Sequence, residues 1–236
     1  MKYHGVTTRN SEFGTRNAKR QTPSAKRLMK AISECRLYGI LDCGYVASER
    51  VELVAGQLIR GGADVLQLRA KNLSRPEIAA LAERILPITK PAGVPLIIND
   101  YPDLLPEVDA DGCHVGQEDH PVVAARLLAG RTCIVGKSSH SIAQAMSAES
   151  EGADYVGFGP LFATGTKPTA APIGLSDIQR AHDHVKIPIF CIGGVKRSNL
   201  IQVRAAGAKR VCIVSDLLLA EDIVAQTRAV RALLGN

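Results

Sequence analysis

Short apolar runs alternate with longer segments of helical spacing along the chain from residue 36 onward. Each run is followed by polar or glycine-rich positions and predicts a buried strand. The eight predicted strands are Leu37–Leu41, Val65–Leu68, Leu96–Ile98, Gly112–Val115, Cys133–Gly136, Tyr155–Phe158, Ile189–Ile192 and Val211–Val214.

Helical segments separate these strands. The first, Ser48–Gly61, begins at a serine that can cap it and ends at a pair of glycines, whereas the segment after Asp100 is weak. Further helices are predicted at about Pro76–Pro91, Ile142–Glu151, Leu175–Val185, Leu200–Ala206 and Asp222–Leu234. Strands that alternate with helices form a parallel sheet. Eight such units in about 200 residues fit a closed (β/α)8 barrel, the TIM barrel, better than an open doubly wound sheet.

The excess of basic charge lies at the N-terminus. The formal net charge is +6, and residues 1–34 hold eight of the 29 basic residues but two of the 23 acidic ones, so residues 35–236 hold 21 of each. Because residues 1–34 lack apolar periodicity, we interpret them as a disordered basic extension before a single barrel domain at 35–236. Nucleic-acid binding is not expected, since no folded module or basic–aromatic interleaving accompanies the charge. The alternatives are a transit peptide, or a biological start at Met29.

The remaining composition is that of a globular protein, with 46% hydrophobic and 22% charged residues. No apolar run approaches the roughly 18 residues that span a bilayer, and no secretory signal is recognised. The six cysteines show no C-x-x-C spacing, which argues against a zinc site. We therefore expect free thiols in a cytoplasmic protein with no membrane partner. A homo-oligomer is left open.

Carboxylates follow two neighbouring strands. The third strand runs into Asn99 and Asp100, and the fourth is followed by Asp119. In a barrel of this type the working residues lie where strands end, so these side chains can converge on one point. Hard cations such as Mg²⁺ suit such a point, because they take a few protein oxygens and complete their shell with water and substrate phosphate. The alternative is that Asp100 and Asp119 only cap the helices that follow.

The other strand ends carry cations, hydroxyls and glycines. Gln67, Arg69 and Lys71 alternate at the end of the second strand, where two cations on one face suit a polyphosphate unless they are only solvated charges. Further candidate site positions lie at the ends of strands five to eight: Ser138, His140, Thr164, Thr166, Lys167, Gly193, Gly194, Val214 and Ser215.

Glycines at the last two strand ends leave backbone N–H groups exposed before helices, an arrangement that binds phosphate. The loops after strands seven and eight are the usual phosphate site in this fold, although Gly193-Gly194 alone is equally a tight turn. Two phosphate regions with a metal at one of them indicate two phosphorylated substrates. No nucleophile–base pair stands out, so covalent catalysis is not expected.

Together these motifs resemble the thiamine phosphate synthase family. The resemblance covers residue 36 to the C-terminus and depends on the order and spacing of several segments: Gln67–Lys71, Ile98–Asp100, Asp111–Asp119, Gly136–His140, Gly157–Lys167, Ile192–Gly194 and Val214-Ser215. It implies a transferase of thiamine biosynthesis that couples 4-amino-2-methyl-5-hydroxymethylpyrimidine diphosphate with thiazole phosphate and releases pyrophosphate, with Mg²⁺ as cofactor. The implied substitution is dissociative, because an electron-rich aminopyrimidine stabilises a methylene cation until the thiazole nitrogen captures it.

The resemblance also implies residue roles. Asp100 and Asp119 are implied to bind Mg²⁺. The implied contacts of the pyrimidine diphosphate are Gln67, Arg69, Lys71, Asn99, Ser138 and Lys167, of which Arg69, Lys71, Ser138 and Lys167 are the implied catalytic residues. The implied contacts of the thiazole phosphate are Thr164, Thr166, Gly194, Val214 and Ser215.

The chain departs from the family pattern at two positions. Ala70 stands where Glu is common, and Pro168 stands where a second basic residue is common, which bears on the charge and closure of its loop. Thiazole tautomerases share the barrel and a histidine matching His140, but they typically lack the paired metal carboxylates that this chain has. A non-enzymatic regulatory relative would be expected to lose charged rim residues, and this chain keeps them.

Overall fold

The computed structural model describes residues 1, 29–130, 132–165 and 171–235. Its sheet is a closed barrel of eight parallel strands in sequence order, with β8 paired to β1. This confirms the predicted (β/α)8 fold. The strands are β1 (Leu37–Asp42), β2 (Val65–Arg69), β3 (Leu96–Asn99), β4 (Gly112–Val115), β5 (Ile134–Ser139), β6 (Tyr155–Phe158), β7 (Ile189–Cys191) and β8 (Val211–Ile213).

Helices connect these strands. The longer ones are α1 (Val51–Gly61), α2 (Arg75–Ala92), α4 (Val122–Ala129), α5 (Ile142–Ser150), α6 (Ile178–His184), α7 (Leu200–Ala205) and α9 (Ile223–Leu234), and the single turns are α3 (Leu105–Val108) and α8 (Ser215–Leu218). The predicted cap at Ser48 is wrong. A short 3-10 turn, Ser48–Arg50, precedes α1, and neither it nor α1 has a side-chain cap.

The fifth strand is longer at its carboxyl end than predicted. Its backbone continues to pair with β6 as far as Ser139, which lies opposite Phe158. Ser138 is therefore held within the sheet rather than in a turn. A side chain on a paired strand has a fixed direction, and this matters for the cavity described below.

Strand residues alternate between two apolar cores. Leu37 and Leu41 of β1 belong to a large cluster that joins the strands to the helices. Tyr38 and Ile40 of the same strand belong to a second cluster inside the barrel, together with Phe190. Alternation of this kind fills the interior of a small barrel with side chains. The interior cluster forms the floor on which the polar residues of the rim stand.

Residues 29–34, assigned to the extension in the sequence analysis, lie against the barrel. The Lys30 amide donates to the Gly93 carbonyl at 3.0 Å, and its ammonium group pairs with Asp64. The Ser33 carbonyl accepts from Arg210 at 2.7 Å. The sequence predicted a disordered extension over residues 1–34. Residues 2–28 of this extension lie outside the described residues, so the domain boundary stays a prediction.

All six cysteines are free, as expected. Among the described helices, none combines the length and the apolar character needed to cross a membrane.

Candidate active site at the carboxyl ends of the strands

A cavity of about 120 Å³ opens at the carboxyl ends of the barrel strands. Its lining includes eight of the eleven predicted substrate residues: Gln67, Arg69, Asn99, Ser138, Thr164, Gly194, Val214 and Ser215. Lys71 lies beside this group through its contact with Asp100. Thr166 and Lys167 lie outside the described residues, so their placement stays a prediction.

The two cations at the end of β2 are held by carboxylates of neighbouring strands. Arg69 Nη1 lies 2.5 Å from Asp42 Oδ2, and the Lys71 ammonium pairs with Asp100. Asp42 is 2% exposed, and its other oxygen accepts from the Gly44 amide at 2.9 Å. The sequence analysis missed Asp42. The available signal was its position at the end of an apolar run, which is the same signal that identified Asp100.

Asp100 and Asp119 converge as predicted, with a hydrogen-bonding contact between their side chains. Burial raises the pKa of Asp100 above its ordinary value, the Lys71 ammonium opposes this shift, and the negative charge of Asp119 adds to it. The Asp100 backbone is left-handed, with φ 67°, and its amide donates to the His114 carbonyl at 2.9 Å. This conformation, which Asp tolerates better than most residues, turns the chain out of β3 at the rim.

The alternative in which these carboxylates cap helices is not supported. Asp119 Oδ2 accepts from the Gly116 amide at 2.6 Å, within the loop that follows β4. Helix α4 is preceded by Pro121 without a side-chain cap, and the turn after Asp100 is preceded by Tyr101, also without one. Both aspartates are therefore rim residues held by loop contacts.

The pair fits a hard cation that keeps part of its shell from outside the protein. Over the described part of the chain, no group of three or more His, Cys, Asp or Glu side chains is arranged to hold a metal ion. Asp100 and Asp119 thus offer two carboxylates without further protein ligands of these types. Mg²⁺ is commonly bound by one or two carboxylates, with waters and substrate phosphate completing the octahedron.

The floor of the cavity contains aromatic residues that the sequence analysis took as core. Tyr38, Tyr155 and Phe190 pack with ring centroids 5.3–5.7 Å apart, and Phe190 meets both tyrosines edge-on. Gln67 is buried beneath the rim, and its side-chain nitrogen donates to the Tyr38 hydroxyl at 3.0 Å. A flat substrate ring entering the cavity would meet this apolar floor with polar groups at its edge.

His140 supports a loop rather than facing other titratable groups. Its Nδ1 donates to the Gly159 carbonyl, and its backbone amide donates to Gln144 Oε1 at 2.7 Å. A ring nitrogen bound to a carbonyl is a donor and is not available as a base at that atom. His140 therefore supports the loop after β6 through Nδ1, and it also lines the cavity.

The glycine pair after β7 allows the loop after β6 to approach closely. Gly193 has φ 88°, and a Cβ atom there would lie 2.3 Å from Pro160 Cβ. The Phe162 amide donates to the Gly193 carbonyl at 3.0 Å, which joins the two loops. Gly193-Gly194 is thus more than a tight turn, because it brings the Thr164 loop to the mouth of the cavity.

Comparison with known proteins identifies the family. Residues 37–217 match the family of thiamine monophosphate synthases. The chain is 44% identical over 203 residues to the thiamine-phosphate synthase of Chloroflexus aurantiacus, an alignment that covers 86% of this chain and 94% of that protein. It is 38% identical to that of Shouchella clausii, over 84% of this chain and 95% of the other.

Solved structures agree. The thiamine phosphate pyrophosphorylase of Pyrococcus furiosus superposes with a TM-score of 0.78 at 30% identity, covering 86% of this chain and 96% of that one. The resemblance found in the sequence is therefore confirmed, and with it the prediction of a transferase of thiamine biosynthesis. The chain belongs to the thiamine monophosphate synthase family.

Proposed function

We propose that the chain couples 4-amino-2-methyl-5-hydroxymethylpyrimidine diphosphate with thiazole phosphate, giving thiamine phosphate and pyrophosphate in an Mg²⁺-dependent substitution. Membership of the family and the similarity to thiamine-phosphate synthases over most of the chain support this reaction over the tautomerase and regulatory alternatives. The observation that carries the proposal is the convergence of Asp100 and Asp119 with Arg69 and Lys71 at one side of the cavity.

The carboxylate pair is the proposed cofactor site. Asp100 and Asp119 would hold Mg²⁺, which when bound neutralises charge that develops on the departing diphosphate. Lys71 contacts Asp100, so its ammonium group would lie near the phosphate oxygens of a substrate bound to that metal. Fixed charges of this kind stabilise a leaving group without having to reorganise during the reaction.

The pyrimidine diphosphate is proposed to lie between the interior floor and the rim of strands two to five. Arg69, fixed by Asp42, and Lys71 would bind the diphosphate. Gln67 and Asn99 would contact the pyrimidine side of the substrate, and Ser138 would contact its diphosphate. This placement is supported by the positions of Gln67, Asn99 and Ser138 in the lining, where a ring can rest on the aromatic floor while its diphosphate reaches the cations.

The thiazole phosphate is proposed to bind at the opposite side of the cavity. Thr164, Gly194, Val214 and Ser215 lie in its lining there, after β6, β7 and β8. Loops after the last two strands are the usual phosphate site of this fold. Thr166, which lies outside the described residues, is proposed to join this site, whereas Lys167, also outside them, is proposed to contact the pyrimidine diphosphate.

A dissociative path fits the chemistry of the described residues. The cavity supplies cations, carboxylates and hydroxyls that position charge, and nothing in the proposed step requires a protein nucleophile. The C–O bond to the diphosphate breaks first, the aminopyrimidine carries the positive charge, and the thiazole nitrogen then forms the new C–N bond. The two proposed sites face each other across one cavity, as this order of events needs.

The free cysteines support a reducing, cytoplasmic location for the reaction.

Two variants and a chelator separate this proposal from a thiazole tautomerase. Lys167→Ala should lower coupling about 10²–10³-fold, as expected for a cation that follows negative charge onto a leaving group. His140→Ala should cost much less, and EDTA should abolish the reaction. Loss of activity in the His140 variant, with a healthy Lys167 variant and no effect of EDTA, would instead indicate a tautomerase, in which a histidine moves the proton.

A further inference from the structure

A continuous chain of hydrogen bonds crosses the floor of the cavity. Gln67 Nε2 of β2 donates to the Tyr38 hydroxyl of β1 at 3.0 Å, and that hydroxyl lies 2.8 Å from the hydroxyl of Tyr155 on β6. The Tyr155 hydroxyl lies 3.1 Å from Nδ1 of His114 on β4. Nε2 of the same ring lies 3.0 Å from Oγ of Ser138 on β5.

The first donor sets the direction of the whole chain. Gln67 Nε2 can only donate to the Tyr38 oxygen, whereas the Tyr155 oxygen can accept the Tyr38 proton. Directing that proton to Tyr155 avoids a buried hydroxyl proton without an acceptor, and we take this direction as the favoured one. By the same argument the buried Tyr155 proton is directed to His114 Nδ1, which accepts in this arrangement. When one ring nitrogen accepts, the other carries the proton in the neutral imidazole. His114 Nε2–H therefore donates to Ser138 Oγ, which leaves the serine proton directed elsewhere.

Packing holds the two tyrosines in this arrangement. Tyr38 and Tyr155 are 2% and 1% exposed, and burial raises the pKa of both phenols well above the usual value, so both hydroxyls stay protonated. The His114 ring stacks on Tyr155 with centroids 5.5 Å apart. Gly136 makes room for the Tyr155 ring, because a Cβ atom there would lie 2.1 Å from Tyr155 Cζ.

We propose that Tyr155 and His114 are positioning residues for Ser138. Tyr155, whose hydroxyl is oriented by Gln67 through Tyr38, donates to His114 Nδ1 and so holds the imidazole as the Nε2–H tautomer. His114 in turn donates to Ser138, which leaves the serine as a hydrogen-bond donor to the cavity. The catalytic consequence rests on the proposed function. A serine that already accepts from His114 has its own proton free for an oxygen of the departing diphosphate. A donor aimed in advance at developing negative charge stabilises it at no cost in reorganisation.

The tautomer is measured directly by long-range ¹H–¹⁵N correlation NMR on protein with ¹⁵N-labelled histidine. His140 and His184 are internal contrasts, because their Nδ1 atoms contact the carbonyls of Gly159 and Arg180 and must donate. The expected result is a neutral His114 protonated at Nε2, opposite to those two rings. A His114 protonated at Nδ1 or at both nitrogens overturns the proposal. This result needs no substrate and no variant that must fold.

Activity provides the second test. Tyr155→Phe keeps the ring but removes the hydroxyl, and Ser138→Ala removes the end of the chain. Ser138→Ala should lower kcat about 10- to 100-fold, the effect of one hydrogen bond to a charged group, and Tyr155→Phe, which leaves Ser138 in place, about 3- to 10-fold. The double variant should lose no more than Ser138→Ala alone. Losses that multiply in the double variant overturn the proposal. Tyr101→Phe removes a hydroxyl outside the chain and should leave kcat unchanged.

The proposed function and the positioning role can be contradicted independently of each other. If the wild-type protein does not couple the two substrates, the proposed function is wrong, while the tautomer of His114 still decides the direction of the chain. If coupling occurs but His114 is protonated at Nδ1, the proposed function stands and the positioning role is wrong.

Discussion

Arg69 Nη1 lies 2.5 Å from Asp42 Oδ2, where β2 and β1 end side by side in register. Asp42 is almost fully buried, whereas Arg69 lines the cavity. The buried carboxylate therefore fixes one edge of the guanidinium group. The remaining N–H groups keep a set direction for an anion, as a planar fork of donors allows.

Asp42→Asn should weaken binding of the pyrimidine diphosphate. The neutral amide loses a charge-assisted hydrogen bond to Arg69, which is worth on the order of 1.5–3 kcal/mol. We expect KM for this substrate to rise about 10-fold or more with a smaller change in KM for thiazole phosphate. Asp177→Asn breaks the exposed pair with Arg180 and is the matched control. Equal KM values in the Asp42 variant and the wild type would contradict the positioning of Arg69.

Asp100→Asn and Asp119→Asn should each lower turnover about 10²–10³-fold, because each removes a carboxylate from the proposed Mg²⁺ site. Both residues lie at the rim, so the fold should survive, as circular dichroism can show. Titration with Mn²⁺ followed by electron paramagnetic resonance, with pyrimidine diphosphate present, measures the metal site apart from activity. Wild-type metal affinity and turnover in both variants would mean that the pair is not the metal site.

Replacing Asp100 by Asn should stabilise the folded protein by an amount that depends on pH. The pKa of Asp100 is raised by burial, so the folded protein binds its proton more tightly than the unfolded chain does. The charged form therefore costs stability as pH rises above the ordinary value of 3.8, and the cost disappears below it. In EDTA, Asp100→Asn should melt at a higher temperature than the wild type near neutral pH, with the difference shrinking as pH falls.

A control separates charge from backbone in that experiment. Asn is favourable in the left-handed region, so part of the gain in Asp100→Asn can come from its φ of 67°. Asp109 has φ 55° at an exposed turn, so Asp109→Asn measures this backbone effect together with loss of the exposed ion pair with Lys90, which contributes little to stability. A difference between Asp100→Asn and wild type that is constant across pH would contradict the role of the buried charge.

Gly136→Ala should destabilise the protein by about 1–3 kcal/mol, the usual cost of overpacking a core. The new methyl group would lie 2.1 Å from Tyr155 Cζ, so the buried ring would have to shift. Gly56→Ala is the matched control, since its Cβ meets only the flexible end of Arg60 within helix α1. That control should gain about 0.5–1 kcal/mol. Denaturant unfolding measures both, and equal stabilities would contradict the packing argument.

The rim could be predicted from the sequence because its chemistry follows strands directly. Asp100 and Asp119 come after buried runs, and parallel strands bring their ends together whatever the details of packing. The floor could not be predicted in this way. Tyr38 and Tyr155 stand inside apolar runs 117 positions apart, so each is read as core until the closed barrel shows their hydroxyls 2.8 Å apart.

Backbone pairing between β5 and β6 explains why the fifth strand is longer than predicted. The sequence ended the fifth strand at Gly136, because Lys137 and Ser138 are polar. The structure continues it to Ser139, since the backbone pairs with β6 and the buried Lys137 ammonium donates to the Gly116 and His120 carbonyls. Hydrophobic periodicity cannot predict that the polar side chain of Lys137 is buried, because its hydrogen-bond partners come from another loop.

The central claim is the coupling reaction itself, and one assay tests it directly. Purified protein is mixed with 4-amino-2-methyl-5-hydroxymethylpyrimidine diphosphate, thiazole phosphate and Mg²⁺, and thiamine phosphate and pyrophosphate are measured by mass spectrometry and phosphate release. We predict that both products form in equal amounts, that EDTA stops their formation, and that added Mg²⁺ restores it. Absence of thiamine phosphate from folded protein with both substrates and Mg²⁺ present would contradict the proposed function.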